Sequence, residues 1–259
     1  MAHSSRKIGS VQRAIDILNL FNAHSPELGT TEIARALNLH KSTAASLVYT
    51  LEANGLLAQN PDTRKFRLGL KLVERASAML DQVQVRQVAY LHLQTLRDQF
   101  NETINLAVFD GADVVYVERI LGTKALGMRS EVGRRAPAHS TALGKAILSC
   151  FPASFAQEYV RRYGLPPVTP KTITNPQKFF AELEQARAQG YALDDEENEI
   201  GGRCVAAPVF DHTGETIAAV SISSPAAHLP MGDVPRAGAL VRETAKAISH
   251  NLGYVPRAY

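Results

Sequence analysis

Between Thr31 and Leu57 the chain reads TEIARALNLHKSTAASLVYTLEANGLL, and this stretch restricts the fold more than any other. Ile33, Ala34 and Leu37 share one face of a short helix that Thr30 can cap. Asn38-Leu39-His40 turns the chain, and a second helix starts near His40 or Lys41 with Ala44, Leu47, Val48 and Leu51 on its buried face. Asn54-Gly55 tolerates left-handed backbone and stops it. Upstream, Ser10 can cap a helix running to about Asn22. Val11, Ala14, Ile15, Leu18 and Phe21 recur there at helical spacing, and Ile17 and Leu20 widen the stripe. Pro26 and Gly29 break the pattern. Downstream, LLAQN, PDT and RKFRLG read as a β-hairpin with Phe66 and Leu68 on one face and Lys65 and Arg67 on the other. Three helices with a tight second junction and a closing hairpin follow the order of a winged helix-turn-helix.

The buried face of the third helix leaves Lys41, Ser42, Thr43, Ala45, Ser46, Tyr49 and Thr50 outward, as DNA-contacting candidates. Lys41, Ser42 and Thr43 stand near its amino end, where free N–H groups favour phosphate. Arg64, Lys65 and Arg67 of the hairpin can reach phosphate or the minor groove. Charge distribution agrees. Residues 1–75 hold ten Lys/Arg against six Asp/Glu, whereas the remaining 184 hold eighteen against nineteen. A basic excess confined to this segment has the sign a phosphate-contacting domain needs. The competing reading is a helical hairpin and strand pair whose charges are merely solvated.

Residues 1–8 read as a loose basic arm, 9–69 as the winged helix-turn-helix, 70–100 as a linker helix with a break near Val85, and 101–259 as a second domain. That domain opens on a hairpin, TINLAVFD and VVYVERI around Asp110-Gly111, and ALGMRS can add a strand. HSTALGKAILSC and QKFFAELEQARAQ are helical, the latter ending at Gly190. YALDD and CVAAPVFDHTGETIAAVSISS are strands, and AGALVRETAKAISHNLG closes as a helix. Hairpins dominate, so the class is α+β with an antiparallel sheet.

If Asp211–Gly214 forms a four-residue turn, Phe210 pairs with Glu215 and Cys204 with Ser221. Cys204, Ser221 and Ser223 then share one sheet face, with Val220 and Ile222 on the other. A thiol and two hydroxyls form a small polar floor that calls for a ligand or water. Ser140-Thr141-Ala142 begins a helix whose unpaired amides can hold an anion. Asp194, opposite Leu193 in its strand, can accept a hydrogen bond from a ligand hydroxyl. Each has a plainer reading: ordinary strand serines, a small buried cysteine, an exposed acidic turn.

Beyond such patterns, SVQRAIDILNLF, TEIARALNLHKSTAASLVYTLEANGLL and FRLGLKL closely resemble the DNA-binding half of IclR-family bacterial transcription regulators. ETINLAVFDGADVVYVERI, VGRRAPAHSTALGKAIL, LEQARAQGYALDDEENEIGGRCVAAPVFD and AAVSISSP resemble its second half, so the likeness spans roughly residues 8–254. The resemblance implies a winged helix-turn-helix, a linker helix and a GAF-like effector domain. It also implies dimers or tetramers on double-stranded DNA operators, and a small carboxylate effector held by the backbone of Ala142 and Leu143 with Asp194, Cys204, Ser221 and Ser223. Ser46 departs from the arginine that relatives often carry, which shifts the expected DNA contacts toward Lys41, Ser42, Thr43, Tyr49 and the wing. Ala136 and Gly202 replace larger aliphatics of some relatives, so a roomier cavity is expected, with Met128 able to line it.

Competing chemistries have little support. Cys204 as an enzymatic nucleophile lacks a nearby base: His212 falls in the turn, and nothing local resembles a cysteine hydrolase signature. ALGKAI lacks the first glycine and the Ser/Thr of a P-loop, DDEENE lacks the order of a calcium loop, and two distant cysteines with scattered histidines give no zinc spacing. No catalytic residue, cofactor or metal is therefore expected. No run approaches the ~18 apolar residues of a membrane span. MAHSSRKIGS has no apolar signal region, and two cysteines suit a reducing cytoplasm. The expected function is a ligand-controlled DNA-binding regulator, a repressor of a catabolic operon. An enzyme using Cys204 and a ligand-independent DNA-binding protein are the alternatives.

Overall fold

The computed structural model describes residues 8–22, 24–80, 84–123 and 130–255. It divides into two compact units, Met1–Gln82 and Val83–Tyr259. Met128 and the strand expected in ALGMRS lie outside the described residues, apart from Ser130.

The first unit comprises α1 (Gly9–Asn19), α2 (Thr30–Ala36), α3 (Lys41–Ala53), β1 (Leu57–Gln59), β2 (Phe66–Leu68) and α4 (Lys71–Leu80). Its core gathers Ile17, Phe21, Ile33, Val48, Leu51, Leu57 and Phe66. The apolar stripe of α1 is rotated from the one expected: Ile17 is the fully buried residue, while Val11 and Ile15 are exposed. Both expected caps move by a residue or more. Ile8 precedes α1 with no side-chain cap and Ser10 lies inside the helix. Thr30 is already helical. Gly29 holds the cap position, and its N–H donates to the Glu32 carboxylate at 2.6 Å. The α2–α3 junction closes on Asn38 at φ 52, with the Leu39 N–H bonded to Ala34 O at 2.8 Å. β1 and β2 pair antiparallel, Leu57 opposite Leu68.

The second unit begins with α5 (Gln84–Phe100) and centres on a six-stranded antiparallel sheet, order β5-β4-β3-β8-β7-β6. Its strands are β3 (Thr103–Asp110), β4 (Asp113–Ile120), β5 (Arg135–Pro137), β6 (Ala192–Asp195), β7 (Gly202–Phe210) and β8 (Thr216–Pro225). α6 (Ala142–Leu148), α7 (Ala153–Tyr163) and α8 (Pro176–Gln189) share a core with the face carrying Ala107, Ala206 and Ala219. α5 and α9 (Val234–Asn251) pack on the sheet as well, α9 chiefly along β7. Alanines at the sheet centre let α6 approach closely. Nothing in the sequence reading anticipated α7 or β5. The Pro152 before α7 and the short Arg135–Pro137 run carry little periodicity of their own.

The β7–β8 register differs from the one counted from the turn. Phe210 pairs with Thr216, and a bulge between Val209 and Phe210 adds a second offset, so Cys204 faces Ser223 rather than Ser221. Two single-residue offsets together preserve parity. Cys204, Ser221 and Ser223 therefore still share one face.

Candidate functional site

The amino end of α6 and the β6–β7–β8 face border a small, partly open cavity, about 440 Å³ including its mouth. Ala142, Leu143, Asp194, Cys204, Ser221 and Ser223 all line it, as does Gly202. Ala136 is instead buried in the core below. Thr141 holds the head of α6: its Oγ1 accepts the Gly144 N–H at 3.1 Å, and its carbonyl accepts the Lys145 N–H. Among the described residues no acceptor takes the N–H of Ala142 or Leu143, the two donors at the cavity wall.

On the floor, Ser221 and Ser223 hydroxyls lie 3.3 Å apart, and both accept from Asn105 Nδ2, at 3.5 and 3.0 Å. Asn105 was missed by the sequence reading, although an amide in the apolar run TINLAVFD marks a polar demand on one face. Tyr116, Ser130, Asn198 and Glu199 also line the cavity without having been singled out. Among the described residues no group hydrogen-bonds the buried Ser130 Oγ, which can accept from or donate to a guest.

Asp194 is buried, and its Oδ1 accepts the N–H groups of Glu197 (2.8 Å) and Asn198 (3.2 Å). It is thus committed locally at one oxygen rather than being an exposed acidic turn. Burial pushes its pKa up to about 7, and the Lys145 ammonium only partly opposes that shift. Lys145, fully buried in α6, pairs with Glu197 at 2.5 Å and Glu182 at 3.1 Å. Burial likewise holds the Cys204 thiol above its ordinary range. His139 donates through Nε2–H to Pro166 O at 2.9 Å, which leaves only Nδ1 for any other partner. Burial lowers its pKa. A thiol held protonated by burial, with no imidazole among the residues lining its cavity, is a poor nucleophile.

In the first unit, Lys41, Ser42 and Ser46 are exposed along α3, Thr43 is partly covered, and Tyr49 is 50% exposed with its ring edge against Phe66 at 5.8 Å. Ser42 Oγ is 2.8 Å from His40 Nδ1. At the wing, Arg64 adopts φ 57 at the tip and Arg67 is exposed, whereas Lys65 sits 3.2 Å from the Glu32 carboxylate of α2. That ion pair partly withdraws Lys65 from the set of free cations.

Among the described residues no group of three or more His, Cys, Asp or Glu is placed to hold a metal, and no helix is long and apolar enough to cross a membrane.

Comparison with known proteins places both units. The IclR helix-turn-helix domain matches residues 10–61, and the bacterial transcriptional regulator IclR C-terminal family matches residues 77–250. The chain is 38% identical to the HTH-type transcriptional regulator XynR of Escherichia coli, over 95% of this chain and 98% of that one. It is 32% identical to the HTH-type transcriptional repressor AllR of Klebsiella pneumoniae, over 96% and 92% of the two chains. The crystal structure of an IclR homolog from Microbacterium hydrocarbonoxydans, complexed with 4-hydroxybenzoate, superposes with a TM-score of 0.82 at 28% identity, covering 94% of this chain and 98% of that one. With both halves matched by family models and full-length relatives above 30% identity, the chain belongs to the IclR family of DNA-binding bacterial transcription regulators, not to a family of enzymes.

Proposed function

We propose that this regulator is a repressor of a catabolic operon in the cytoplasm, and that a small carboxylic acid bound in the α6–β8 cavity controls its operator affinity. One observation carries this reading. Two free N–H groups, two hydroxyls, a thiol and a carboxyl poised near neutrality converge on a single small cavity. An oxyanion satisfies the Ala142 and Leu143 donors and the Ser221 and Ser223 hydroxyls, and a protonated Asp194 can donate to it as well. Repression accords with the relative named a repressor. An aromatic acid in the 4-hydroxybenzoate complex supports an effector of more than two or three carbons, and Gly202 puts no side chain into that wall.

DNA is held by Ser42, Thr43, Ser46 and Tyr49 in the major groove, with Lys41 at the amino end of α3, Arg64, Arg67 and, more weakly, Lys65 on the backbone. The protein acts as a dimer or tetramer. Ile8, Val11 and Ile15 recur along one side of α1 and stay 67%, 54% and 46% exposed, an apolar strip suited to self-association. The effector must bind two conformations with different affinity to change DNA binding. It does so by bridging α6 and β8, and the helices between the domains carry the change to the spacing of two recognition helices.

Footprinting on DNA upstream of the protein's own gene, across a panel of small carboxylic acids, tests the reading. Protection relieved by one acid is expected. Protection indifferent to every acid would leave a ligand-independent DNA-binding protein, and turnover of an acid abolished by Cys204→Ala would favour an enzyme.

A further inference from the structure

β6 shields β7 only along Arg203–Ala206; beyond Ala206, β7 continues to Phe210 with that edge uncovered by any strand among the described residues. The gap is not a template for another strand. Pro208 has no N–H, and the Phe210 N–H is bonded to Ser249 Oγ at 2.9 Å. Instead a cleft of about 1650 Å³, including its open mouth, lies there between the ends of α6 and α8, the uncovered edge of β7, and α9. It shares no lining residue with the effector cavity, and Phe210 and Cys204 stand at opposite ends of β7.

The charge of this cleft is one-sided. Arg187, Arg242, Lys246 and His250 line it, and among the described residues no carboxylate does; Glu243, at the rim, pairs with Lys246 at 3.0 Å. Arg187 donates from Nε to Ser149 O (2.6 Å) and from Nη2 to Phe151 O (2.5 Å), and among the described residues it has no acidic partner. Arg242 Nη1 donates to Gln189 O at 3.1 Å; among the described residues its buried Nε makes no hydrogen bond and has only a long ion pair, 3.8 Å, to the exposed Glu243 carboxylate. A buried guanidinium donor left unmet is costly. Gly190 makes room for this arrangement, since a Cβ there would meet Arg242 Cδ at 2.8 Å. Helix-end carbonyls explain why two arginines come here; they do not explain the unmet Nε or the open space before it. Opposite the cations, Phe210 and Tyr254 stack at 5.0 Å and 26°, giving the cleft an aromatic wall.

We propose that this cleft is a second ligand site, which takes an organic oxyanion with a flat apolar body. Its phosphate or carboxylate group is held by Arg187 and Arg242, with Lys246 and His250 at the rim, and its ring lies against the Phe210–Tyr254 pair. The regulator then has two separate anion inputs in one domain, and the second stands whether or not the effector reading of the first is correct.

Calorimetry on the full-length protein tests this with 1-naphthyl phosphate and 1-naphthoate as probes and neutral 1-naphthol as control. The two anions separate a phosphate source from a carboxylate one. At least one is expected to bind one per chain, tenfold or more weakly in Arg242→Gln and Arg187→Gln, and unchanged in Ser221→Ala of the effector cavity. Naphthol is expected not to bind. Should the arginine variants fail to fold, Lys246→Glu at the exposed rim substitutes for them, with a severalfold loss expected. Binding by neither anion, binding indifferent to these substitutions, or binding lost in Ser221→Ala would each overturn the proposal.

Discussion

Lys145 Nζ lies 2.5 Å from Glu197 Oε1 and 3.1 Å from Glu182 Oε1, with no part of the lysine side chain open to solvent. This pair ties α6, which presents the effector-cavity amides, to the loop after β6 that positions Asp194. Burial raises the Glu197 pKa, and Lys145 is the main influence holding it down. Removing one partner leaves the other buried and uncompensated, which costs ~3–5 kcal/mol. Lys145→Ala should therefore lose about that much in denaturant unfolding of the second unit. Lys145→Met combined with Glu197→Gln should recover much of it, because the one charge left without its partner, Glu182, is partly exposed. A single variant within ~1 kcal/mol of the parent would show that the pair matters little to stability.

Asp194 makes effector binding pH-dependent. Its carboxyl, pushed up to about 7 by burial, is neutral below that pH and can donate to a ligand carboxylate; once ionised it repels one. Lys145 and Glu197 act on it most among its charged neighbours, the lysine lowering its pKa and the glutamate raising it, and Glu199 and Cys204 line the same cavity. Burial holds the Cys204 thiol and the Tyr116 hydroxyl of the same cavity above their ordinary ranges, so both stay neutral there. Affinity for the effector should be flat below about pH 6, fall about twofold by pH 7, and then weaken, approaching tenfold per unit. Asp194→Asn should flatten the profile. The same raised pKa means that the stability Asp194 contributes is fully present below about 4 and lost as pH rises through 7. An Asp194→Asn protein with an unaltered binding profile would exclude this carboxyl as the titrating group.

How far the cavity was readable from sequence depends on parity rather than register. Counting from the turn placed Cys204 opposite Ser221, and the chain places it opposite Ser223. Bulges are invisible in a hydrophobic pattern, but an even total offset keeps every side chain on its face. Asn105 and Tyr116 escaped because their strands were read as apolar runs, without a register across β3, β4 and β8 to show which of their residues meet the serines. Lys145 escaped for another reason. A lysine in ALGKAIL looks like a solvated helix charge until α8 and the loop after β6 are packed around it. The helix-turn-helix was the more legible half, since its contacts are short-range and its turn residues stand at fixed offsets. Even there, α1 buried Ile17 rather than the expected Val11–Ile15 edge, because helical spacing names a stripe about 100° wide without fixing its centre.

For DNA, the exposed Lys41 and the wing lysine should separate. Lys41→Ala should weaken operator and non-operator binding alike and lower the salt slope by about 1. Lys65→Ala should change both far less, since the Lys65 ammonium is already engaged by Glu32. Equal losses in filter-binding titrations across salt would mean that the Glu32 pair opens on DNA.

Gly144 is the position where one methyl group should uncouple ligand response from DNA binding. It lies in the first turn of α6, and a Cβ there would fall 2.2 Å from Ala138 O and 2.3 Å from Ala138 Cα. Both are main-chain atoms flanking the helix start, so no rotamer change can relieve the overlap. α6 must move away from β5 and the sheet, carrying the Ala142 and Leu143 amides with it. Overpacking of this kind costs ~1–3 kcal/mol, more where backbone must shift. Gly144→Ala should lower the melting temperature of the second unit in scanning calorimetry and weaken effector binding by tenfold or more. The helix-turn-helix unit contains none of the affected atoms, so its circular dichroism and its affinity for a half-site should persist. A Gly144→Ala protein that melts and binds effector like the parent would show that the α6 approach is slack, and would remove the geometric basis assigned to the cavity amides.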